Sequence, residues 1–170
     1  MSPVFNAEEI LEVAVHIEQT GAAYYRRAAS FQKNPAAKRM LEELADMEDG
    51  HELLFENLRA DPETLSELLG DPDGEIAQYL QAFADGKVFP KESAEVTAIG
   101  PDTDLDDVLS HAITMELKSI AFYQGFKHAM GKHNPRDKLS TIIAEERHHV
   151  TALSRHLAAI RAQRAKHQPS

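Results

Sequence analysis

Apolar positions in this chain recur at alternating intervals of three and four, the spacing that lines one face of an α-helix. In the second such stretch the stripe runs Leu41, Leu44, Glu48, His51, Phe55 and Leu58. A carboxylate and an imidazole thus stand where a bundle seam normally carries aliphatic side chains. The fourth stretch repeats the pattern through Leu139, Ile142, Glu146, His149 and Leu153. Helix starts are marked by a capping side chain followed by proline at Asn34-Pro35, Asp61-Pro62, Asp71-Pro72 and Asn134-Pro135. Asn6 with Glu9, and Thr103 with Asp106, read as caps with an acidic residue in the first turn. Together these signals predict long helices over about 7–32, 35–60, 104–130 and 135–165.

Residues 61–103, between the second and third long helices, are rich in proline, glycine and aspartate and divide the chain into two helical halves. Ile76, Tyr79, Leu80 and Phe83 recur at helical spacing and Gly86 follows, so short helices are expected near 62–69 and 74–85. Helices of about 25 residues are roughly 37 Å long. A connection of this size can run the length of a bundle and start the third long helix parallel to the second. Short breaks near Lys33 and His133 make the other neighbours antiparallel. With 170 residues, 42% of them hydrophobic, the chain suits one domain over 1–170 with one buried core. The expected fold is all-α: a four-helix bundle with a long, partly helical crossover between helices two and three.

Sliding the second half over the first by 98 positions, the separation of Glu18 from Glu116, superposes the seams. Leu11 meets Leu109, Ala14 meets Ala112, Gly21 meets Ser119 and Tyr25 meets Tyr123. In the same frame Glu48 meets Glu146 and His51 meets His149. Helix four also offers Glu145 with His148, but that register carries Lys138, Thr141 and Arg155, so Glu145 and His148 are expected to be mostly solvated. His156, one heptad past His149, is expected as a partly buried histidine near the helix end, and the remaining histidines fall outside the matched seam.

Four ionised carboxylates inside an apolar seam would cost several kcal/mol each unless compensated. Two divalent cations balance four carboxylates, and neutral imidazoles complete the coordination without adding charge. Residues three apart on a helix share a face, so Glu-x-x-His presents both groups to one metal region. The candidate ligands are therefore Glu18, Glu48, His51, Glu116, Glu146 and His149. Mixed carboxylate and imidazole donors suit iron or manganese and, less selectively, zinc. Gly21 and Ser119, one turn past the lone glutamates, leave room for metals or a small substrate. Tyr25 and Tyr123 either fill the core or bond a ligand carboxylate through their hydroxyls.

Charge and composition narrow the function classes. Eighteen basic against 28 acidic residues give a net charge of −10, which disfavours nucleic acid and anionic membrane surfaces as partners. The absence of cysteine excludes disulfides, thiolate zinc sites and iron–sulfur clusters within these residues. No apolar run approaches the roughly 18 residues of a membrane span. Met1 to Asn6 lead directly into charged residues, and a cytoplasmic protein is expected.

Ile17-Glu18 with Tyr25, Glu48-x-x-His51, Met115-Glu116 with Phe122-Tyr123, and Ala144-Glu145-Glu146-x-x-His149 resemble the rubrerythrin-like branch of the ferritin-like superfamily, over nearly the whole chain. The resemblance implies a ferritin-like bundle with two iron ions that react with hydrogen peroxide or dioxygen, commonly in a homodimer or larger assembly, in the setting of oxidative stress. It departs in two places. Full-length rubrerythrins carry a rubredoxin domain whose four cysteines feed electrons to the di-iron site, whereas these residues contain none, so a separate electron-donor protein is expected. Rubrerythrins also carry a further glutamate one turn after the third-helix ligand, where Ser119 stands here. The leading expectation is a peroxide- or dioxygen-reducing oxidoreductase. A ferroxidase or iron-binding protein for storage or transfer, and a non-catalytic bundle stapled by metal, are the alternatives.

Overall fold

The computed structural model describes residues 7–61, 75–82, 94–129 and 135–167, all of its regular elements being helices. The long helices are α1 (Ala7–Phe31), α2 (Pro35–Arg59), α5 (Leu105–Ala129) and α6 (Pro135–His167). Two short ones, α3 (Glu75–Ala82) and α4 (Ala94–Thr97), belong to the crossover. Of the expected helix over 74–85, the described part is α3, whereas α4 carries no periodicity long enough to announce it. The expected helix near 62–69, and the caps that involve Asn6, Pro62, Asp71 and Asn134, lie outside the described residues.

Local chemistry accounts for two of the starts. The Asn34 side chain accepts from the backbone N–H of Ala36 and Ala37 while Pro35 occupies the first helical position, where its missing N–H costs nothing. At α5 the cap differs by one residue from the expected Thr103. Asp104 Oδ1 accepts from the N–H of Asp106 at 2.9 Å, and the Thr103 hydroxyl instead accepts from the N–H of Gly100. Asp104 succeeds because its carboxylate reaches the first free N–H and also meets the dipole and Arg164 of α6.

Paired residues fix the directions of the helices. Gln19 with Glu52 and Arg26 with Asp49 align α1 antiparallel to α2, and Arg161 with Asp106 aligns α6 antiparallel to α5. Across the core Tyr25 reaches Glu116 and Tyr123 reaches Glu18, so α1 and α5 are antiparallel and α5 runs parallel to α2. The bundle is thus two close helical hairpins facing each other, with side chains filling the space between. α3 lies on α5, where Tyr79 donates to the carbonyl of Ala121 and Leu80 is fully buried. Gly125 permits that contact, since a Cβ there would run into the Tyr79 ring. α4 covers α1 at the other end, held by the bond from Arg27 Nε to the carbonyl of Ile99.

The apolar interior consists of two clusters. One gathers Leu11, Phe55, Leu80, Tyr123, Phe126 and Leu139, and the other Tyr25, Leu41, Leu44, Leu109, Val96 and Leu153. A polar layer of buried glutamate and histidine lies between them. No described helix is long and apolar enough to cross a membrane.

Asn34→Ala removes a cap that lies about four helical turns before Glu48, the seam glutamate of the same helix. It should cost about 1 kcal/mol and lower the melting temperature by roughly 2–4 °C. Metal content should be unchanged, and calorimetry beside elemental analysis checks both.

Candidate metal centre

The seam pattern brings all six predicted residues into the polar layer. Glu18 comes from α1, Glu48 and His51 from α2, Glu116 from α5, and Glu146 and His149 from α6; none is more than 5% exposed. The rejected register is indeed outward, with Lys138, Thr141, His148 and Arg155 all exposed. Their donor atoms form two groups of four. Glu18, Glu48, His51 and Glu146 make one, and Glu48, Glu116, Glu146 and His149 make the other, with the atoms in each within 4.8 Å of one another. Glu48 and Glu146 belong to both, as bridging carboxylates would. Glu18 with His51, and Glu116 with His149, then stand at the two ends.

Nδ1 of each histidine points inward. His51 Nδ1 lies 3.1 Å from Glu146, 3.4 Å from Glu18 and 3.6 Å from Glu48. His149 Nδ1 lies 3.0 Å from Glu146 and 3.4 Å from both Glu48 and Glu116. Yet Glu18 Oε2, Glu48 Oε1, both oxygens of Glu146 and both Nδ1 atoms are buried without a well-formed hydrogen bond among the described residues. Buried acceptors seldom remain unsatisfied. A set of carboxylate oxygens and imidazole nitrogens converging on two points is the donor arrangement of a pair of divalent cations, so the residues fit such a group.

Without cations the cluster can lower its charge only with protons. Burial, then the nearby charge of Glu48, pushes the Glu18 carboxyl well above its ordinary value, and Glu116 is raised for the same reasons. Burial would also raise Glu48 and Glu146. For Glu48, protons shared from Glu18, His149 and His51 outweigh it, and for Glu146 those of His149, His51 and Glu116 do, so both stay below the usual carboxylate range. Burial opposes charging the imidazoles, but hydrogen bonding to Glu146, Glu18 and Glu48 lifts His51 far above its ordinary value. Glu116, Glu146 and Glu48 likewise lift His149 to about 12. Protons on both histidines thus lower the negative charge of the metal-free layer, and burial favours the neutral form of both end glutamates.

Both tyrosines bond ligand carboxylates as well as filling core. Tyr25 on α1 donates to Glu116 on α5, and Tyr123 on α5 donates to Glu18 on α1. Burial, followed by the charges of Glu116 and Glu18 respectively, raises the two phenols well above their ordinary value, so both remain donors. Phe55 stacks on Tyr123, with ring centroids 5.1 Å apart.

Two expectations need correction. His156 is exposed, because helix α6 has turned its seam to Leu153 and Leu157 by that point. Glu145 is not simply solvated: its side chain is 42% exposed, but its Oε2 lies 2.9 Å from His51 Nε2. A carboxylate on the outer nitrogen orients the imidazole and raises its basicity. The signal for it was the doubled Glu145-Glu146, whose first member points toward the neighbouring helix. The other histidine has no equivalent. His149 Nε2 is buried without a hydrogen-bond partner among the described residues, and Met47 stands at the position that the repeat matches to Glu145.

The sequence profile of one family, described as rubrerythrin, matches residues 5–99. A solved structure from Thermotoga maritima, described as that of a ferritin-like diiron-carboxylate protein, superposes with a TM-score of 0.67 at 25% identity. The alignment covers 90% of this chain and 95% of that one. No curated protein matches the sequence.

Cations must displace the stored protons. The raised histidines are protonated at neutral pH when the site is metal-free, so binding should release at least two protons and tighten as pH rises. Titrating the metal-free protein with Mn(II) in weak buffer at about pH 6 and about pH 8 measures both the protons and the affinity. Equal affinity at the two pH values would contradict this charge distribution.

Proposed function

Because this chain belongs to the rubrerythrin family, we propose that its buried glutamate and histidine layer holds two iron ions and reduces hydrogen peroxide or dioxygen with electrons from an external donor. The observation that carries this reading is the convergence of two overlapping donor groups that share Glu48 and Glu146. Bound there, a pair of ferrous ions supplies two electrons and Lewis acidity to one oxidant molecule.

The protein's own residues set the conditions for that chemistry. Glu48 and Glu146, which belong to both donor groups, would be shared by the two ions, while Glu18 with His51 and Glu116 with His149 would hold one ion each. Tyr25 and Tyr123 hold the end carboxylates from across the core, so those ligands keep their orientation when the oxidant arrives. The two apolar clusters exclude bulk water from the ends of the layer, which strengthens each electrostatic contact inside it. Glu145 links His51 to the surface and is placed to carry protons that peroxide reduction consumes.

The absence of cysteine means that no thiolate-bound centre within these residues relays electrons. An electron donor outside these residues therefore completes the cycle. A homodimer or larger assembly, and a cytoplasmic location, belong to the same proposal.

Glu48→Ala and Glu146→Ala should each lose at least one of two ions per chain, because each removes a donor from both groups. Two ions retained in both variants, by elemental analysis, would refute the ligand assignment. Stopped-flow mixing of the di-ferrous protein with hydrogen peroxide should show oxidation at least ~10-fold faster than free Fe(II), a barrier lowered by about 1.4 kcal/mol. A rate equal to that of the free ion would remove the oxidoreductase reading and leave iron binding for storage or transfer, or a metal-stapled bundle.

A further inference from the structure

The two metal positions differ in their surroundings, although the repeat relates them. A cavity of about 10 Å³, room for one water-sized molecule, is bounded by Gly21, Tyr25, Glu48, Glu116 and Ser119 among others. Its carboxylates belong to the position that His149 completes, whereas Glu18 and His51, which complete the other, do not line it. Glu48 Oε1, buried and without a hydrogen-bond partner among the described residues, belongs to a side chain in that wall.

Glycine at position 21 creates the space. A Cβ there would stand 3.4 Å from Cγ and Cδ of Glu48 and 3.6 Å from its Oε2, so it would fill the cavity beside the carboxylate without forcing it aside. Glycine inside a helix is unfavourable relative to alanine, and Gly21 lies in the middle of α1. The outer faces of the histidines are asymmetric in the same sense. His51 is braced by Glu145, while His149, which shares its donor group with the cavity's Glu48 and Glu116, has no such brace among the described residues, and the repeat places Met47 where Glu145 stands in the other half.

We propose that the position held by Glu116 and His149 is the open one, and that oxidants and small anions reach the metal pair through the gap at Gly21. Because the cavity takes no more than one water-sized group, Gly21 is a specificity-determining residue: dioxygen, hydrogen peroxide and azide can place one slender end in it, and branched alkyl hydroperoxides are excluded. This inference rests on the di-iron reading of the cluster.

The test uses azide as the probe, added to the di-ferric protein and followed by its charge-transfer absorbance, with iron counted in the same samples. Wild type should bind azide. Gly21→Ala should retain two irons, because its Cβ meets Glu48 at ordinary contact distance, and should bind azide at least ~10-fold more weakly. Gly21→Val should weaken it further, and Ser119→Ala, which enlarges the same cavity, should bind azide at least as tightly as wild type. Two-iron Gly21→Ala protein that binds azide like wild type would overturn the proposal, as would wild-type di-ferric protein that binds none. Azide binding that is sensitive to Gly21, in a protein that peroxide oxidises no faster than free Fe(II), would keep the port and discard the oxidoreductase. A failure to bind iron at all would discard both.

Discussion

Four carboxylates share one buried layer in the middle of an apolar bundle, and the organisation of the chain follows from the need to compensate them. Removing a single carboxylate from water costs several kcal/mol even after relaxation. Four facing one another in a low-dielectric interior would repel as well. The fold allows two solutions: protons distributed over both histidines and the end glutamates, or two divalent cations. The first leaves buried acceptors poorly bonded and the second offers them positive partners, so this part of the core is organised around two charges that its side chains alone do not supply.

The repeat of the two halves gives this layer its economy. Each hairpin contributes one lone glutamate, one Glu-x-x-His pair and one tyrosine. Packed face to face, each hairpin's tyrosine secures the other hairpin's lone glutamate, so the halves brace each other where the repulsion is greatest. The same crossing ties the metal layer to the apolar clusters on either side of it, because the tyrosine rings belong to those clusters. Loss of one hairpin's orientation would therefore disturb both ends of the site.

Symmetry is broken where chemistry with a small molecule needs it broken. Gly21 is matched to Ser119 and Met47 to Glu145, and both differences place the freer environment beside Glu116 and His149. The braced position and the open position then share the bridging glutamates but divide the labour of anchoring and receiving. The family sets the type of centre, and these two substitutions between halves set which end of it faces a ligand.

Much of this was legible from local rules. The three-and-four spacing assigned Glu48, His51, Glu146 and His149 to the interior, because helical periodicity alone decides which face a residue occupies. The repeat extended that assignment to Glu18 and Glu116, and capping chemistry at Asn34 marked a helix start correctly. Periodicity does not say which atoms meet across a core. That Tyr25 bonds Glu116, 91 residues away, that Glu145 braces His51, and that Glu48 and Glu146 reach both groups all depend on how α1 and α2 dock against α5 and α6. The cap at Asp104 and the exposure of His156 were settled by the same docking, through Arg164 and the turning of the α6 seam. The sequence by itself determined the chemical identity and facing of the donors, since these are properties of single helices. Only the tertiary structure decided who bridges, who braces and where the opening lies, since those are distances between helices.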